Sequence, residues 1–384
     1  MLDRRRFHRT RPAAATLAAY SVFGIFLALA VSLCCAPAWA RDEVFAVAGV
    51  AVDVTAENAA KAREKALADG AKAAFRRLLE RLTLLSDRSR LPNLPSGEID
   101  ALVHDLSVAN EKTSAVRYLA DLTFRFKPDA VRKRLDELAL PYAETPSKPV
   151  LVLPVYRSAG ALLLWDDPNP WRQAWSKVNP KEGLVPLIMP IGDLTDVAAI
   201  GAEQAAAGDE QRLSAIAKRY NAGDTMVVLA ALSLDAATTL PAMQISVTRY
   251  GSGAGTGEAE FNFIAASGEG VDGLLTRAAV QVATFVEDAW KHENLIQMRK
   301  PGAIAVRVPI AALSEWLTVR DRLGGVAVVR RIDLMLLSKR EARVNLHFIG
   351  DADQLILALK QADLNLARVD EEWELTLPGS RPRG

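Results

Sequence analysis

The run from Pro149 to Trp175, PVLVLPVYRSAGALLLWDDPNPWRQAW, constrains the fold of this chain more than any other stretch. Its first part, Val150 to Val155, is almost uninterrupted apolar sequence that is too short for a lone helix and follows a proline-rich segment. We therefore predict a strand that is buried on both faces. Asn169 and Pro170 form a typical helix start, an N-cap followed by proline at the first helical position. The helix that they open carries two tryptophans on one face, four residues apart.

The same run carries a resemblance to a known family. LVLPVYR followed by LLLWDDPNPWRQAW is similar to the domain of unknown function 2066, a family of secreted Gram-negative bacterial proteins. The W-x-D-P-N-P-W pattern is its most specific part, and the upstream VAGVAVDVTAENAAKAREKALADGAKAAFRRLLERL fits the same family. The resemblance covers most of the chain after residue 43. Because that family has no established activity or site residues, the resemblance implies organisation and compartment, not mechanism.

Residues 1–40 have the three parts of a secretory signal peptide. A basic start precedes an apolar run over 13–33, and Ala38 and Ala40 have the spacing of a cleavage site. We expect cleavage after Ala40, a periplasmic location and no membrane insertion afterwards. An uncleaved run of about 20 residues would instead anchor the chain in the inner membrane. The arginines at 4–6 also permit twin-arginine export, although we favour an ordinary positively charged start.

Charge and cysteine content narrow the classes of function. The chain has 47 Lys and Arg and 46 Asp and Glu, and its first 40 residues carry five arginines and one aspartate. The exported chain therefore has a formal net charge of −3, so we expect no nucleic-acid partner. Both cysteines, Cys34 and Cys35, lie in the N-terminal apolar run. Once that run is cleaved, no thiol remains for a disulfide, a thiolate metal site or a cysteine nucleophile.

The predicted fold class is a multi-module α+β or α/β protein with a mixed central sheet covered by helices. The expected organisation is a signal peptide over 1–40, an N-terminal α+β domain over 43–140, a proline-rich linker over 141–149, a central α/β domain over 150–298, a C-terminal domain over 299–378 and a disordered tail over 379–384. In the C-terminal domain, the predicted order of strand, helix, strand, strand, helix, strand indicates a ferredoxin-like fold. Its final strand is expected over Leu366 to Leu377.

Within the N-terminal domain, strict alternation of apolar and polar residues from Val116 to Phe126 predicts a half-buried strand. Glu43 to Val54 alternate loosely and predict another strand, which is followed by a long helix that ends near Leu85. A short helix is expected over Glu98 to Leu106. Strands and one long helix are sufficient for a small α+β unit.

The motifs of common catalytic classes, such as G-x-S-x-G, S-x-x-K, the Walker loop and H-E-x-x-H, do not occur in the sequence. The tract from Gly251 to Gly257 joins two predicted strands and lacks a lysine, so it indicates a hairpin tip rather than a phosphate loop. Asp166 and Asp167 are the candidate catalytic residues. Adjacent carboxylates on an extended segment point to opposite sides, whereas acid/base chemistry needs two that converge. Together with Asn169 they could bind a divalent cation, but capping of the next helix explains the same residue types and is the interpretation we favour.

Trp165, Asn169 and Trp171 are the candidate binding residues, since tryptophans can stack on a glycan. Their apolar neighbours favour burial in the core instead. The three histidines of the exported chain, at positions 104, 292 and 347, lie in separate regions, so neither a zinc site nor a cofactor is expected.

Three functions stay open at this point. The leading hypothesis is a non-catalytic periplasmic protein that binds an envelope protein, either through exposed sheet edges or through the concave face of the C-terminal domain. One alternative is a glycan or ester hydrolase that uses Asp166 or Asp167. Another is a small-molecule binding protein with its site at the carboxyl ends of the central strands, near Tyr156 to Asp167.

Overall fold

The computed structural model describes residues 44–178, 183–251, 257–295 and 301–379 of the chain. These residues form a mixed α+β fold with three β-sheets and several helices. The predicted signal peptide with Ala38 and Ala40, the centre of the glycine tract and the end of the predicted tail lie outside the described residues.

The strands are β1 Ala46–Thr55, β2 Val103–Thr113, β3 Arg117–Phe126, β4 Val150–Ser158, β5 Ala161–Leu163, β6 Leu187–Ile188, β7 Asp224–Leu234, β8 Pro241–Gly251, β9 Glu258–Ile264, β10 Pro301–Pro309, β11 Val329–Leu337, β12 Glu341–Ile349, β13 Asn365–Val369 and β14 Glu372–Thr376. The helices are α1 Ala59–Leu82, α2 Ser96–Leu102, α3 Pro128–Glu137, α4 Pro170–Ser176, α5 Leu194–Ala199, α6 Ala202–Ala206, α7 Glu210–Arg219, α8 Val271–Glu293, α9 Leu313–Gly325 and α10 Ala352–Gln361, with a 3-10 helix over Leu85–Arg90.

The first sheet is antiparallel, in the order β1-β3-β2, and α1 packs across it. The alternation expected for β3 is confirmed, because its buried and half-buried residues alternate from Tyr118 onward. Gly70 lets α1 approach the sheet closely, since a Cβ at this position would lie 2.8 Å from Cδ1 of Leu122. The helix expected over Glu98 to Leu106 is wrong in its second half, where β2 begins at Val103.

The central sheet has the order β5-β4-β7-β8-β9, and β6 also pairs with β4. The prediction for β4 is confirmed: Val150 to Tyr156 are all buried, and alternate residues belong to two separate hydrophobic clusters on opposite faces. β4 and β7 are parallel, as expected for strands joined through helices. Between them, the largely apolar stretch from Leu184 to Ile191 contributes only the two residues of β6 to the sheet.

The third sheet has the order β11-β12-β10-β14-β13, with α9 and α10 in the predicted places. The single final strand predicted over Leu366 to Leu377 is wrong, because the chain turns at Asp370 and Glu371 and forms the hairpin of β13 and β14. As a result β14 lies beside β10 and runs parallel to it. The C-terminal sheet therefore has one strand more than the predicted order of elements.

One hydrophobic cluster extends through both the first and the central sheet, from Val44 to Trp290. The proline-rich segment 141–149 packs against this cluster, with Tyr142 and Ala143 buried in it. The indole Nε1 of Trp290 on α8 donates to the carbonyl oxygen of Thr145 at 2.8 Å. The segment predicted as a linker is thus held inside the protein by direct contacts.

Candidate functional site

The start of α4 is built by Asn169, as the sequence predicts. Its side-chain oxygen accepts from the backbone N–H of Arg172 at 3.0 Å, and Pro170 occupies the first turn. Trp171 is fully buried, and its Nε1 donates to the carbonyl oxygen of Val228 on β7 at 2.9 Å. Asn169 therefore caps α4 and Trp171 attaches it to the central sheet, which accounts for both residue types without a ligand.

Asp166 and Asp167 are both exposed on the segment that leads into α4. The Asp166 carboxylate accepts from the backbone N–H of Leu164 at 3.3 Å, so it supports the local turn. Trp165 lies between the surface and the core, where its Nε1 donates to the carbonyl oxygen of Ile200 at 2.7 Å and the Arg172 guanidinium lies over its ring. These contacts orient the tryptophan toward the protein rather than toward an open cleft.

The three histidines of the described residues lie on three different elements. His104 is exposed on β2 rather than on a helix, and His292 lies near the end of α8. His347 on β12 contacts the Asp333 carboxylate at 2.9 Å. Within the described ranges, no group of three or more His, Cys, Asp or Glu side chains is arranged to hold a metal ion.

The carboxyl end of β4, where an open α/β sheet commonly holds a ligand, is closed by a tight hairpin. Ala159 and Gly160 form its turn with positive φ angles of 49° and 85°, and β5 then pairs back on β4. Tyr156, near this end, is buried, and burial raises the pKa of its hydroxyl. The hairpin occupies part of the space in which the small-molecule hypothesis placed its ligand.

A more prominent feature is the outer edge of β11, the first strand in the order of the C-terminal sheet. Four consecutive apolar residues, Leu334 to Leu337, are exposed, and Met335 reaches 65 %. We call these four residues the β11 edge. Among the described residues, β11 pairs only with β12, so no strand covers the outer side of the β11 edge there.

The register explains why all four side chains are exposed. Leu334 lies opposite Val344, and Leu337 lies opposite Ala342. Because Val344 and Ala342 are buried beneath the helices, the two leucines are on the helix-covered face of the sheet. Both leucines are exposed, so the helices do not extend over them. Leu336 lies opposite Arg343, on the other face. The pairing shifts between Leu334 and Leu336, as in a β-bulge at Met335. Both faces of this strand end are consequently apolar.

The long edge strand β2 provides a contrast within the same protein. Its exposed end carries polar and charged residues, including Glu111 and Lys112, which are the side chains that protect sheet edges from further pairing. The β11 edge has no charged side chain between Asp333 and the Ser338 turn. An apolar, unpaired edge of this kind is typical of a site that receives an extended segment of another chain.

Next to the β11 edge, the uncovered face of the C-terminal sheet is charged. Arg307 and Arg343 lie directly opposite each other on β10 and β12. Like charges in this position repel, and Glu374 on β14 offsets the repulsion through a short ion pair with Arg307. Arg343 pairs in turn with Glu341 at 3.0 Å. This face can therefore supply specificity through charge beside the apolar edge.

The sequence predicts an order of elements that includes β11 and favours exposed sheet edges as binding surfaces, but it does not identify the β11 edge as one of them. The signal was present in the four consecutive apolar residues LMLL, because a half-buried strand alternates instead. What the sequence does not contain is the strand order, which places β11 at the end of the sheet.

None of the helices in the described part of the chain combines the length and the hydropathy that a bilayer crossing requires. Comparison of the sequence with models of protein families gives no match. Comparison with curated proteins gives none either.

Proposed function

We propose that this chain is an exported, non-catalytic periplasmic protein that binds an extended segment of an envelope protein through the β11 edge. The observation that carries the proposal is the combination of an unpaired strand edge with four exposed apolar side chains. Export is supported by the signal-peptide pattern of residues 1–40. The net charge of −3 expected after cleavage also fits a protein partner better than a nucleic acid.

Recognition at such an edge has two parts. Backbone hydrogen bonds from β11 to the added strand supply sequence-independent affinity, and pockets beside alternate side chains supply specificity. Leu334 and Leu337 on one face and Leu336 on the other would contact apolar residues of the partner. Arg343, next to Leu336, would favour a carboxylate at the following position on that face.

Within the described residues, the hydrolase hypothesis lacks such support. Asp166 and Asp167 are exposed on a turn, and Asn169, rather than either aspartate, caps α4. Glycan binding by Trp165 and Trp171 also lacks support, since both indole N–H groups donate to backbone carbonyl oxygens.

We further propose that the C-terminal domain is a ferredoxin-like split βαβ unit with its last strand extended into a hairpin. The order β11-β12-β10 and the helices α9 and α10 support this, while the parallel β14 is an addition. Membership of the domain of unknown function 2066 is part of the same proposal, supported by the quoted run that forms β4, β5 and α4.

The test is site-specific photo-crosslinking in living cells. A photoreactive residue at Met335 should crosslink one defined envelope protein, whereas the same residue at Leu234, an exposed apolar position at the end of β7, should not. Leu336→Lys should abolish the crosslink, because a charge on a strand edge prevents pairing. The chain should be recovered from the periplasmic fraction with Arg41 as its first residue.

Three results would contradict the proposal. The first is equal crosslinking from Leu234 and Met335, and the second is a crosslinked product that contains only copies of this chain. The third is recovery of the chain in the cytosol with residues 1–40 attached.

A further inference from the structure

A second surface is independent of the β11 edge. A cleft of about 290 Å³ lies between α1, the 3-10 helix, the end of α4 and α8. Its charged lining is strongly cationic, with five cationic residues against two carboxylates: Arg77, Arg81, Arg88, Lys177 and Lys291 against Glu80 and Glu287. The remainder of the lining is mainly apolar, including Val185, Leu187 and Val280.

The two carboxylates of the cleft are already engaged. Glu80 accepts from Nε of Arg76 at 2.7 Å, outside the cleft lining. Glu287 accepts from the backbone N–H groups of Leu184 at 2.7 Å and Val185 at 2.9 Å. Glu287 also lies 3.7 Å from Nζ of Lys291, but neither carboxylate is within salt-bridge distance of Arg77, Arg88 or Lys177.

Three of these cations, Arg77, Arg88 and Lys177, lack a carboxylate partner within salt-bridge distance among the described residues. All three are exposed on different elements: Arg77 on α1, Arg88 on the 3-10 helix and Lys177 at the end of α4. Cations brought together from three elements without matching anions create a positive potential over the cleft. The pattern favours an anionic ligand.

The walls of the cleft are held rigidly by Lys291, which is only 4 % exposed. Its Nζ donates to the carbonyl oxygens of Glu80 at 2.8 Å and Thr83 at 3.1 Å, and so joins α8 to the end of α1. Burial lowers the pKa of Lys291, an effect that the nearby Glu287 carboxylate opposes. The cationic rim thus rests on a preformed frame, which reduces the ordering cost of binding.

We propose that this cleft binds a small organic anion that joins a phosphate or carboxylate group to an apolar portion. Arg77, Arg88 and Lys177 would bind the anionic group, since guanidinium groups suit both phosphate and carboxylate oxygens. Val185, Leu187 and Val280 would contact the apolar portion. The volume of about 290 Å³ is at the lower limit for small-molecule sites and fits a ligand of modest size.

The probes are hexyl phosphate, inorganic phosphate and hexanol, measured against the purified protein by isothermal titration calorimetry at low ionic strength. Hexyl phosphate should bind at least about tenfold more tightly than either partial ligand, since it alone meets both the cations and the apolar floor. The double variant Arg88→Ala with Lys177→Ala should weaken hexyl phosphate binding by about tenfold or more. Lys72→Ala, an exposed change on α1 outside the cleft lining, is the matched control and should bind like the wild type.

Vesicles distinguish two sources of the same chemistry. If the ligand is a lipid headgroup, vesicles that contain phosphatidylglycerol should sediment the wild type and Lys72→Ala but not the double variant. If it is a free metabolite, hexyl phosphate should bind while the vesicles do not. The proposal would be overturned if hexyl phosphate did not bind at concentrations up to about 1 mM. It would also be overturned if Lys72→Ala weakened hexyl phosphate binding as much as the double variant does.

Discussion

Glu144 provides the sharpest test of how the parts of this protein are joined. Its side chain is 0 % exposed and lies in the proline-rich segment 141–149. One carboxylate oxygen accepts from Nε of Arg132 on α3 at 2.7 Å, and the other accepts from an Nη of Arg330 on β11 at 2.9 Å. A single buried carboxylate therefore connects α3 with the C-terminal sheet. Glu144→Gln keeps the volume of the side chain but removes its charge.

The size of the effect follows from what the two arginines lose. Breaking a buried ion pair by neutralising one partner costs about 3–5 kcal/mol of unfolding free energy, because the remaining charge stays buried without compensation. The arginines here retain some compensation: Arg132 also pairs with Asp129 at 2.7 Å, and Arg330 donates to the carbonyl oxygen of Ala327. We therefore expect Glu144→Gln to lower the free energy of unfolding by about 3 kcal/mol, the lower end of this range.

The assay is urea unfolding combined with amide hydrogen exchange. Asp129→Asn is the matched control, because Asp129 is a second ion-pair partner of Arg132. Unlike Glu144, the Asp129 side chain is 98 % exposed. An exposed pair contributes about 0–1 kcal/mol, so the control should unfold almost like the wild type. Glu144→Gln should also lower amide protection in α3 and in β11 together. Equal unfolding midpoints for the two variants would refute the reasoning.

Three further predictions concern single side chains. The Arg277 guanidinium and a backbone N–H lower the pKa of Glu269 to about 2. The ion pair therefore stabilises the protein fully at a pH above about 4.3, the pKa of an unfolded glutamate, and this stabilisation is lost as the pH falls toward 2. A carboxyl NMR titration of Glu269 should give a midpoint near pH 2, and Arg277→Met should raise that midpoint. Gly183→Ala should destabilise the protein by about 1–3 kcal/mol in urea unfolding, because the new Cβ would lie 2.5 Å from an oxygen of Glu287 and displace it from its backbone donors. A Cβ at Gly97 in α2 would meet no atom within 4 Å, so Gly97→Ala should stabilise the protein by about 0.5–1 kcal/mol in the same assay. If Gly97→Ala destabilised the protein, the free space around a glycine would not be what decides whether alanine stabilises or destabilises.

The sequence predicts those helices and strands in which the buried positions are apolar and the exposed positions are polar. β4 was predictable because both of its faces are buried, and the start of α4 because Asn169 and Pro170 are a sufficient local signal. β2 was not predictable, since most of its residues are exposed on both faces and no alternation results. The turn at Asp370 and Glu371 gives only a weak signal, because its second positive φ angle, 69°, falls on a glutamate where a glycine is the usual residue.

The surfaces to which we assign functions could not be predicted in the same way. The cationic cleft assembles Arg77, Arg88 and Lys177 from three elements, and no spacing in the sequence relates them. The ion pair between Glu144 and Arg330 joins residues 186 positions apart. Such features depend on strand order and helix packing, which single-sequence patterns determine only in part.

The hydrogen bonds of Lys291 tie the end of α1 to a part of the chain that is synthesised much later. Its ammonium group completes the end of α1 from 211 residues further along the chain, so a nascent polypeptide leaving a ribosome or a membrane channel must wait for α8 before the end of α1 is covered. Until then the apolar residues that share a hydrophobic cluster with α8 remain exposed to chaperones, proteases and neighbouring chains.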